Sequence, residues 1–365
     1  MIRFVMLGGF LGAGKTTAIS RLAKHYIAEG LKIGIVTNDQ AYDLVDTRSL
    51  RAQGFDVGEV PGACFCCKFN DLVETAAALA KEHQPDVIIT EPVGSCTDLV
   101  ATVIEPLRML HGDDYRIAPL IVLLKPEHGM KILRAEQGSG FSPQAAYIFL
   151  KQIEEADVVA INKVDKLSTA ERDELRRLVL ERFPDKSILM TSGRTSEGFA
   201  ELIDALRQER SATVKTMEVD YDVYAEGEAE LGWLNCTAEV TSASERIQLD
   251  DLVRTIVERI SQRLRGLGAE TAHLKVLGES NGASAIANLV GSGVDVELSV
   301  ESGAKVTKAT VVVNARVVCD PLQLEEVVTE SLCELANQQA VDVNLGEVQR
   351  FRPGRPEPTH RVQAS

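Results

Sequence analysis

Gly9-Phe10-Leu11-Gly12-Ala13-Gly14-Lys15-Thr16-Thr17 has the spacing G-x-x-x-x-G-K-T of a phosphate-binding loop. Glycines at these positions let backbone N–H groups close around phosphate oxygens, and the helix that follows offers its positive N-terminal end. Lys15 is placed to reach β- and γ-phosphates and the Thr16 hydroxyl to hold Mg²⁺, while Gly9, Gly12, Ala13, Gly14 and Thr17 form the cradle. The short pattern needs a strand before it and a helix after it. The apolar run Ile2 to Leu7 and the amphipathic run Thr17 to Tyr26 supply both.

A second motif bears on the base. Asn162-Lys163-Val164-Asp165 follows the apolar run Asp157 to Ile161, so it projects from the carboxyl end of a strand, where open α/β sheets bind ligands. The Asp165 carboxylate can accept two hydrogen bonds from guanine N1–H and the exocyclic amine, a pair adenine does not offer, while the Lys163 stem packs on the base. GTP is therefore expected rather than ATP. Thr191-Ser192-Gly193, ending the next apolar run, Ser187 to Met190, is placed to touch the base through backbone groups, Ser192 among them.

The third cluster is Cys64-Phe65-Cys66-Cys67, three thiols in four positions. Thiolates at i, i+2 and i+3 can converge on one soft ion such as Zn²⁺ or Co²⁺, with a fourth ligand from water, a second chain, a client protein or Cys96. Three buried thiols packed beside Phe65 are the bland alternative. Taken singly, Cys96, Cys236, Cys319 and Cys333 read as core residues. With no secretion signal and no bilayer-spanning apolar run, the expected compartment is a reducing cytoplasm rather than one that builds disulfide scaffolds.

The phosphate loop, the C-x-C-C cluster, Glu91-Pro92-Val93-Gly94 and Asn162-Lys163-Val164-Asp165, in that order, resemble the CobW-type GTPases, relatives of the nickel-insertion GTPases of urease and hydrogenase maturation. The resemblance spans roughly residues 1 to 210. It implies GTP hydrolysis coupled to delivery of a transition metal or metal cofactor to a client metalloprotein, with nucleotide-dependent homodimerisation. It also implies that Glu91 and Asp39 join Lys15 at the catalytic centre, as acidic residues near Mg²⁺ and the γ-phosphate. An alternative reading is a GTP-dependent factor that remodels or reactivates a corrinoid or other metalloenzyme. Where the family often has Asn-Glu-x-Gly, this chain has Asn38-Asp39-Gln40-Ala41, and Leu124-Lys125-Pro126 replaces a usual Asp. Asp43 and Asp46 are weaker candidates on the same segment.

These motifs require elements to position them. Apolar runs near 2–7, 32–37, 86–90, 117–124, 157–161 and 187–191 alternate with helical patterns, including Asn70–Glu82, Ser168–Phe183 and Gly198–Arg210, the mark of a doubly wound, mostly parallel sheet. That domain is expected over 1–210. Period-two runs at Lys215–Tyr224, Gly232–Thr241, Ala272–Leu277, Val294–Val300 and Thr307–Val318, with helices near Leu249–Leu267 and Pro321–Gln339, predict an α+β domain over 216–350, of which a ferredoxin-like arrangement is one form. The Pro- and Arg-rich residues 351–365 read as a disordered tail. A net charge of −15 argues against nucleic-acid and anionic-membrane partners and for a protein partner.

Overall fold

A computed structural model of the chain describes residues 1–41, 45–134, 142–211, 216–242, 246–291, 294–339 and 341–363. It divides into two compact units, Met1–Gln40 with Gly54–Gly227 and Arg355–Ser365, and Ala41–Gln53 with Glu228–Gly354. No helix among the described residues is long and apolar enough to cross a membrane.

The first unit is built on strands β1 (Ile2–Gly9), β2 (Ile33–Asp39), β3 (Asp56–Pro61), β4 (Val87–Glu91), β5 (Tyr115–Ile117), β6 (Ile121–Leu124), β7 (Val158–Ile161) and β8 (Ser187–Met190). They lie in the order β3-β2-β4-β1-β6-β7-β8, with β5 also on β1, and these pairings are parallel. A parallel sheet covered on both faces needs unbroken apolar strands, and Phe4 to Leu7 are at most 2% exposed. Strand β3 escaped the sequence reading because it is an edge strand carrying Asp56 and Glu59, with only Val60 fully buried.

Between β4 and β6 in the sheet order, β1 ends in the phosphate loop, so the loop opens at the carboxyl edge of the sheet. Helix Lys15–Ala28 follows it. Helix Thr169–Arg182 starts on a reciprocal cap in which Ser168 N donates to Glu171 Oε2 at 2.8 Å and Glu171 N to Ser168 Oγ at 3.3 Å. The long connection 112–144 contains β5, β6 and helix Pro126–Leu133; residues 135–141 lie outside those described.

The second unit is a six-stranded antiparallel sheet of β9 (Gly232–Thr241), β11 (Thr271–Ser280), β12 (Ala283–Leu289), β13 (Glu297–Val300), β15 (Lys308–Val317) and β16 (Asp342–Phe351), in the order β13-β12-β11-β15-β9-β16; β10 (Ile247–Gln248) and β14 (Lys305–Val306) pair separately. The succession β9, helix Leu249–Gly266, β11, β15, helix Pro321–Gln339, β16, with spatial order β11-β15-β9-β16, is the ferredoxin-like pattern extended by β12 and β13. Alternate residues of β15 serve opposite faces: Val311 and Val313 meet the two helices through Ile256, Leu324 and Val328, whereas Val312 joins Leu277, Ile286 and Val45.

That last contact corrects the linear division at 210–216. Helix Val45–Ala52, contiguous in sequence with the Asn38-Asp39 strand end, belongs to the second unit. Val45 N donates to Asn314 Oδ1 at 2.9 Å, Arg48 pairs with Glu279 at 2.9 Å, and Asp46 pairs with Lys275, which removes Asp46 from the Mg²⁺ candidates. Asp43 lies outside the described residues. The expected strand Lys215–Tyr224 is also corrected over its described part: Tyr221–Ala229 is a helix, and Tyr221 and Tyr224, three residues apart, have the spacing of one helix face rather than of a pleat. Residues 342–351 form β16, and residues 355–363 are bonded within the first unit. The composition that suggested disorder is rich in Pro and Arg and poor in large apolar residues, but this segment is held by backbone hydrogen bonds and by the ion pairs Arg355–Asp222 and Arg361–Asp98, which composition does not register.

Candidate nucleotide and metal site

Gly14 adopts φ +92, and a Cβ there would stand 2.7 Å from Asn162 Nδ2, so this turn accepts glycine alone without displacing the base loop. Lys15 is 8% exposed, and its Nζ donates to Gly9 O at 3.0 Å across the cradle. Thr16 Oγ1 donates to Glu91 Oε1 at 3.0 Å. A hydroxyl and a carboxylate side by side are the hard oxygen donors Mg²⁺ takes, so the pair fits the ion. Glu91 ends β4 in register with Thr37, and β2 runs two residues further to Asp39. Gly94 passes over the loop: a Cβ there would come within 2.7 Å of Leu11 Cδ2 and 3.1 Å of Lys15 Nζ.

The base loop is stitched to the phosphate loop. Asn162 Nδ2 donates to Ala13 O at 2.8 Å, and Asn162 Oδ1 accepts from Gly193 N at 3.1 Å, so Asn162 braces both loops. Lys163 takes a left-handed φ of +60, and its Cε lies 3.8 Å from the position of a Cβ on Gly14. Ser192 Oγ donates to Asp165 Oδ1 at 2.7 Å, orienting the carboxylate. Ser192 thus meets Asp165, the candidate for reading the base, through its side chain. Changing Asp165 to Asn is expected to weaken guanine-nucleotide binding roughly 10- to 100-fold, since one hydrogen bond to a charged acceptor, worth about 1.5–3 kcal/mol, becomes a donor facing a donor. Competition by ATP and GTP against a fluorescent guanine nucleotide measures this, and equal competition in the parent protein would refute the guanine reading.

The thiol loop follows β3 and turns tightly, with Cys67 N and Lys68 N both donating to Cys64 O at 3.0 Å. Sequence reading did not anticipate what holds it: Asn38 Nδ2 donates to Val60 O and Ala63 O at 2.7 Å, and Asn38 Oδ1 accepts from Phe65 N at 2.8 Å. Asn38 precedes Asp39 in β2, so this strand end is fastened to the backbone of the loop that carries the cysteines. The sulfurs lie 2.9 Å (Cys64–Cys66), 3.4 Å (Cys64–Cys67) and 3.7 Å (Cys66–Cys67) apart. A tetrahedral ion with metal–sulfur bonds of about 2.3 Å sets sulfurs about 3.8 Å apart, so opening the trio by less than about 1 Å would seat one. Hydrogen bonds from Cys66 and Cys67 hold the Cys64 thiol well below its ordinary pKa; the same bonding to Cys64 pushes Cys66 well above its own and Cys67 up to about 11. One sulfur is therefore a thiolate first, and its neighbours lose protons to an incoming cation.

Two further segments close on this loop. Cys96, which taken singly reads as core, is 1% exposed and helps hold the Cys64 thiol low, while the sulfurs that all lie within 4.8 Å of one another are those of Cys64, Cys66 and Cys67. Gln152 Nε2 holds the Cys96 loop by donating to Gly94 O at 3.0 Å and Cys96 O at 2.8 Å. Beneath the next turn Glu155 accepts from Thr97 Oγ1 at 3.3 Å and Val100 N at 3.2 Å, and burial pushes its carboxyl up to about 8. The segment 355–363 crosses the loop from outside: Glu357 N donates to Cys67 Sγ at 3.3 Å, Thr359 N to Cys66 O at 2.8 Å, and Thr359 Oγ1 to Cys67 O at 3.0 Å. Arg361 Nε pairs with buried Asp98 at 2.7 Å. Nothing in the sequence around Gln152, Glu155 or Arg361 signals these roles. Lys125, the departure noted after β6, is 1% exposed and pairs with Glu127 at 2.9 Å.

A phosphate loop, a base loop and a carboxylate at one edge of a parallel sheet define a P-loop nucleotide-binding protein. The sequence profile of the CobW/HypB/UreG nucleotide-binding domain matches residues 3–189, and the chain belongs to that family of P-loop GTPases. It is similar to the zinc chaperone YeiR of Escherichia coli (strain K12), 26% identical over 196 residues, covering 52% of this chain and 55% of YeiR. It is also similar to the urease accessory protein UreG of Metallosphaera sedula, 26% identical over 224 residues and covering 57% of this chain and 94% of UreG. Among solved structures, HypB from Helicobacter pylori in complex with nickel aligns with a TM-score of 0.41 and 20% identity, over 58% of this chain and 90% of that one. The match to YeiR thus spans about half of that relative's length.

Proposed function

We propose that this protein is a GTPase whose nucleotide state governs the uptake and release of a transition-metal ion, zinc or cobalt, at Cys64, Cys66 and Cys67, for transfer to a client metalloprotein. The observation that carries the reading is the bonding of Asn38: one side chain on the strand that ends at Asp39 fastens the backbone of a loop bearing three converged thiols. In this reading Lys15 and the loop amides bind the triphosphate, Thr16, Glu91 and Asp39 hold Mg²⁺, and Asp165 with Lys163 selects guanine. Mg²⁺ would supply charge neutralisation between the β- and γ-phosphates. Hydrolysis relaxes the grip on Glu91 and Asp39, and Asn38 transmits the change to the thiol loop. The similarity to a zinc chaperone supports zinc as cargo; the soft donor set accommodates Co²⁺ equally. A client metalloprotein and GTP-dependent self-association belong to the same proposal.

The test is a titration of reduced protein with Zn²⁺ or Co²⁺ in the presence of GDP and of a non-hydrolysable GTP analogue. Coupling of about 1–3 kcal/mol predicts affinities that differ roughly 5- to 150-fold, and metal must then change GTP affinity by the same factor. Identical affinities in the two nucleotide states would refute the coupling.

A further inference from the structure

Arg21 stands on helix Lys15–Ala28, one turn beyond Thr17, and directs its guanidinium at a single loop 172–175 residues away along the chain. Its Nε donates to Gly193 O at 2.7 Å, Nη2 to Arg194 O at 2.9 Å and Nη1 to Ser196 Oγ, while its Cζ lies 5.8 Å from the centre of the Phe199 ring. A guanidinium is rigid and planar, so three bonds from it fix the tilt of a loop as well as its distance. The loop depends on such support. No helix or strand residue lies between Met190 and Phe199, and Ser196 takes a left-handed φ of +72, which a residue with a Cβ keeps only where its surroundings hold it. The gripped segment bears directly on the base-reading residues. Thr195 N donates to Ser192 Oγ at 3.1 Å and Ser196 N to Ser192 O at 2.9 Å, so the hydroxyl that orients Asp165 is held from the segment under Arg21. On the other side Arg172 joins this loop to the base loop, pairing with Glu197 at 2.5 Å and donating to Val164 O at 2.6 Å. An ordinary surface arginine pairs instead with a carboxylate on its own helix, as Arg177 does with Glu181.

We propose that Arg21 is a positioning residue for guanine recognition, which sets how long a guanine nucleotide stays bound. The inference rests on the reading of Asp165 as the acceptor for the guanine edge and adds to that site the residue that holds its far wall. Phosphates and base are read by different loops, and the length of the nucleotide fixes the span between them. Arg21 sets that span in the protein: it starts from the helix that opens at Lys15 and ends on the loop that carries Ser192. A recognition group acts only within about 0.5 Å of its productive place, so slackening this tie displaces Ser192 and, through it, the Asp165 carboxylate. The contact to guanine is the same in GTP, in GDP and during hydrolysis. Weakening it therefore removes uniform binding: nucleotide leaves faster and KM rises, while turnover at saturation is unchanged. Arg21 touches neither phosphates nor Mg²⁺ in this account, and no step of hydrolysis passes through it.

The experiment measures release of a fluorescent GDP, KM and kcat for GTP, and the ratio of affinities for GTP and inosine triphosphate, which lacks the exocyclic amine that Asp165 would accept from. It compares the full-length parent with Arg21→Ala, Arg21→Lys and, as a control for loss of an exposed arginine, Arg177→Ala; melting temperatures verify folding. The parent should prefer GTP to inosine triphosphate by about tenfold or more, the worth of one hydrogen bond to a charged acceptor. In Arg21→Ala, GDP release should quicken and KM rise about tenfold with kcat within about threefold, and the preference for GTP should fall toward one. Arg21→Lys should move the same way, because one ammonium group does not span three acceptors in a plane, and it carries the test if the alanine variant does not fold. Arg177→Ala should match the parent. An Arg21 variant that keeps the parent's release rate and base preference overturns the inference, as does one that binds both nucleotides more weakly with their ratio unchanged, the mark of a merely structural role. Loss of kcat at unchanged KM would also overturn it, by placing Arg21 in the chemistry. A parent that binds the two triphosphates equally well refutes the guanine reading itself.

Discussion

Replacing Lys15 with alanine is expected to abolish GTP hydrolysis, lowering turnover by at least about 10²–10³-fold, the loss typical when one preorganised group facing developing phosphate charge is removed. The site shows why substitution cannot be absorbed. Lys15 is almost wholly enclosed, with Nζ held across the cradle by Gly9 O and Gly94 close above it. No other lysine or arginine belongs to the loop Gly9–Thr17, so no second cation of that loop replaces it. Triphosphate should be weakened more than diphosphate, because the γ-phosphate loses its partner. Single-turnover hydrolysis and binding of GDP against a GTP analogue measure both effects. Turnover within tenfold of the parent would show that the phosphate loop is not the catalytic centre.

The second large effect is on metal. With Cys64, Cys66 and Cys67 all changed to serine, affinity for Zn²⁺ should fall at least about 10³-fold, because thiolate sites bind this ion with apparent energies of about 10–16 kcal/mol and a serine hydroxyl is a poor substitute. Metal content of the purified, reduced protein should fall from one ion per chain to none. The parent's affinity should also weaken as pH falls, since each bound sulfur must shed a proton that Cys66 and Cys67 hold above the ordinary thiol range. Undiminished zinc binding in the triple variant would leave the cysteines as packing and overturn their reading as the metal ligands.

How much of this was legible beforehand depended on how local each signal was. The phosphate loop, the base loop and the strands feeding them lie in contiguous runs, and a parallel sheet buried on both faces writes itself as unbroken apolar stretches such as Phe4–Leu7 and Ile121–Leu124. Strands β9 and helix Pro321–Gln339 were bounded in the sequence as they stand in the fold, because alternation and a proline start mark them. What stayed hidden was set by tertiary closure. The thiol trio was visible, but the loop after β4 that Gln152 holds reaches its place only after β4 lies beside β1 and β2. Asn38 was legible as the neighbour of the Mg²⁺ candidate Asp39, though its hold on the thiol loop was not. Helix Val45–Ala52 enters the second unit by packing against β15, a contact some 270 residues away along the chain, as the 269-residue separation of Val45 and Asn314 shows.

The strap over the thiols also sets an order of events during synthesis. Cys67 and the backbone group of Glu357 that caps it are 290 residues apart. At about 5–20 residues per second on the ribosome, the three thiols leave the exit tunnel roughly 15–60 s before their cover is made. The first unit lacks this segment throughout that interval, although its sheet is already encoded. The cysteine loop is therefore most open to ions and oxidants in the nascent chain, and on the proposed metal reading an ion would enter most easily before translation has passed residue 357.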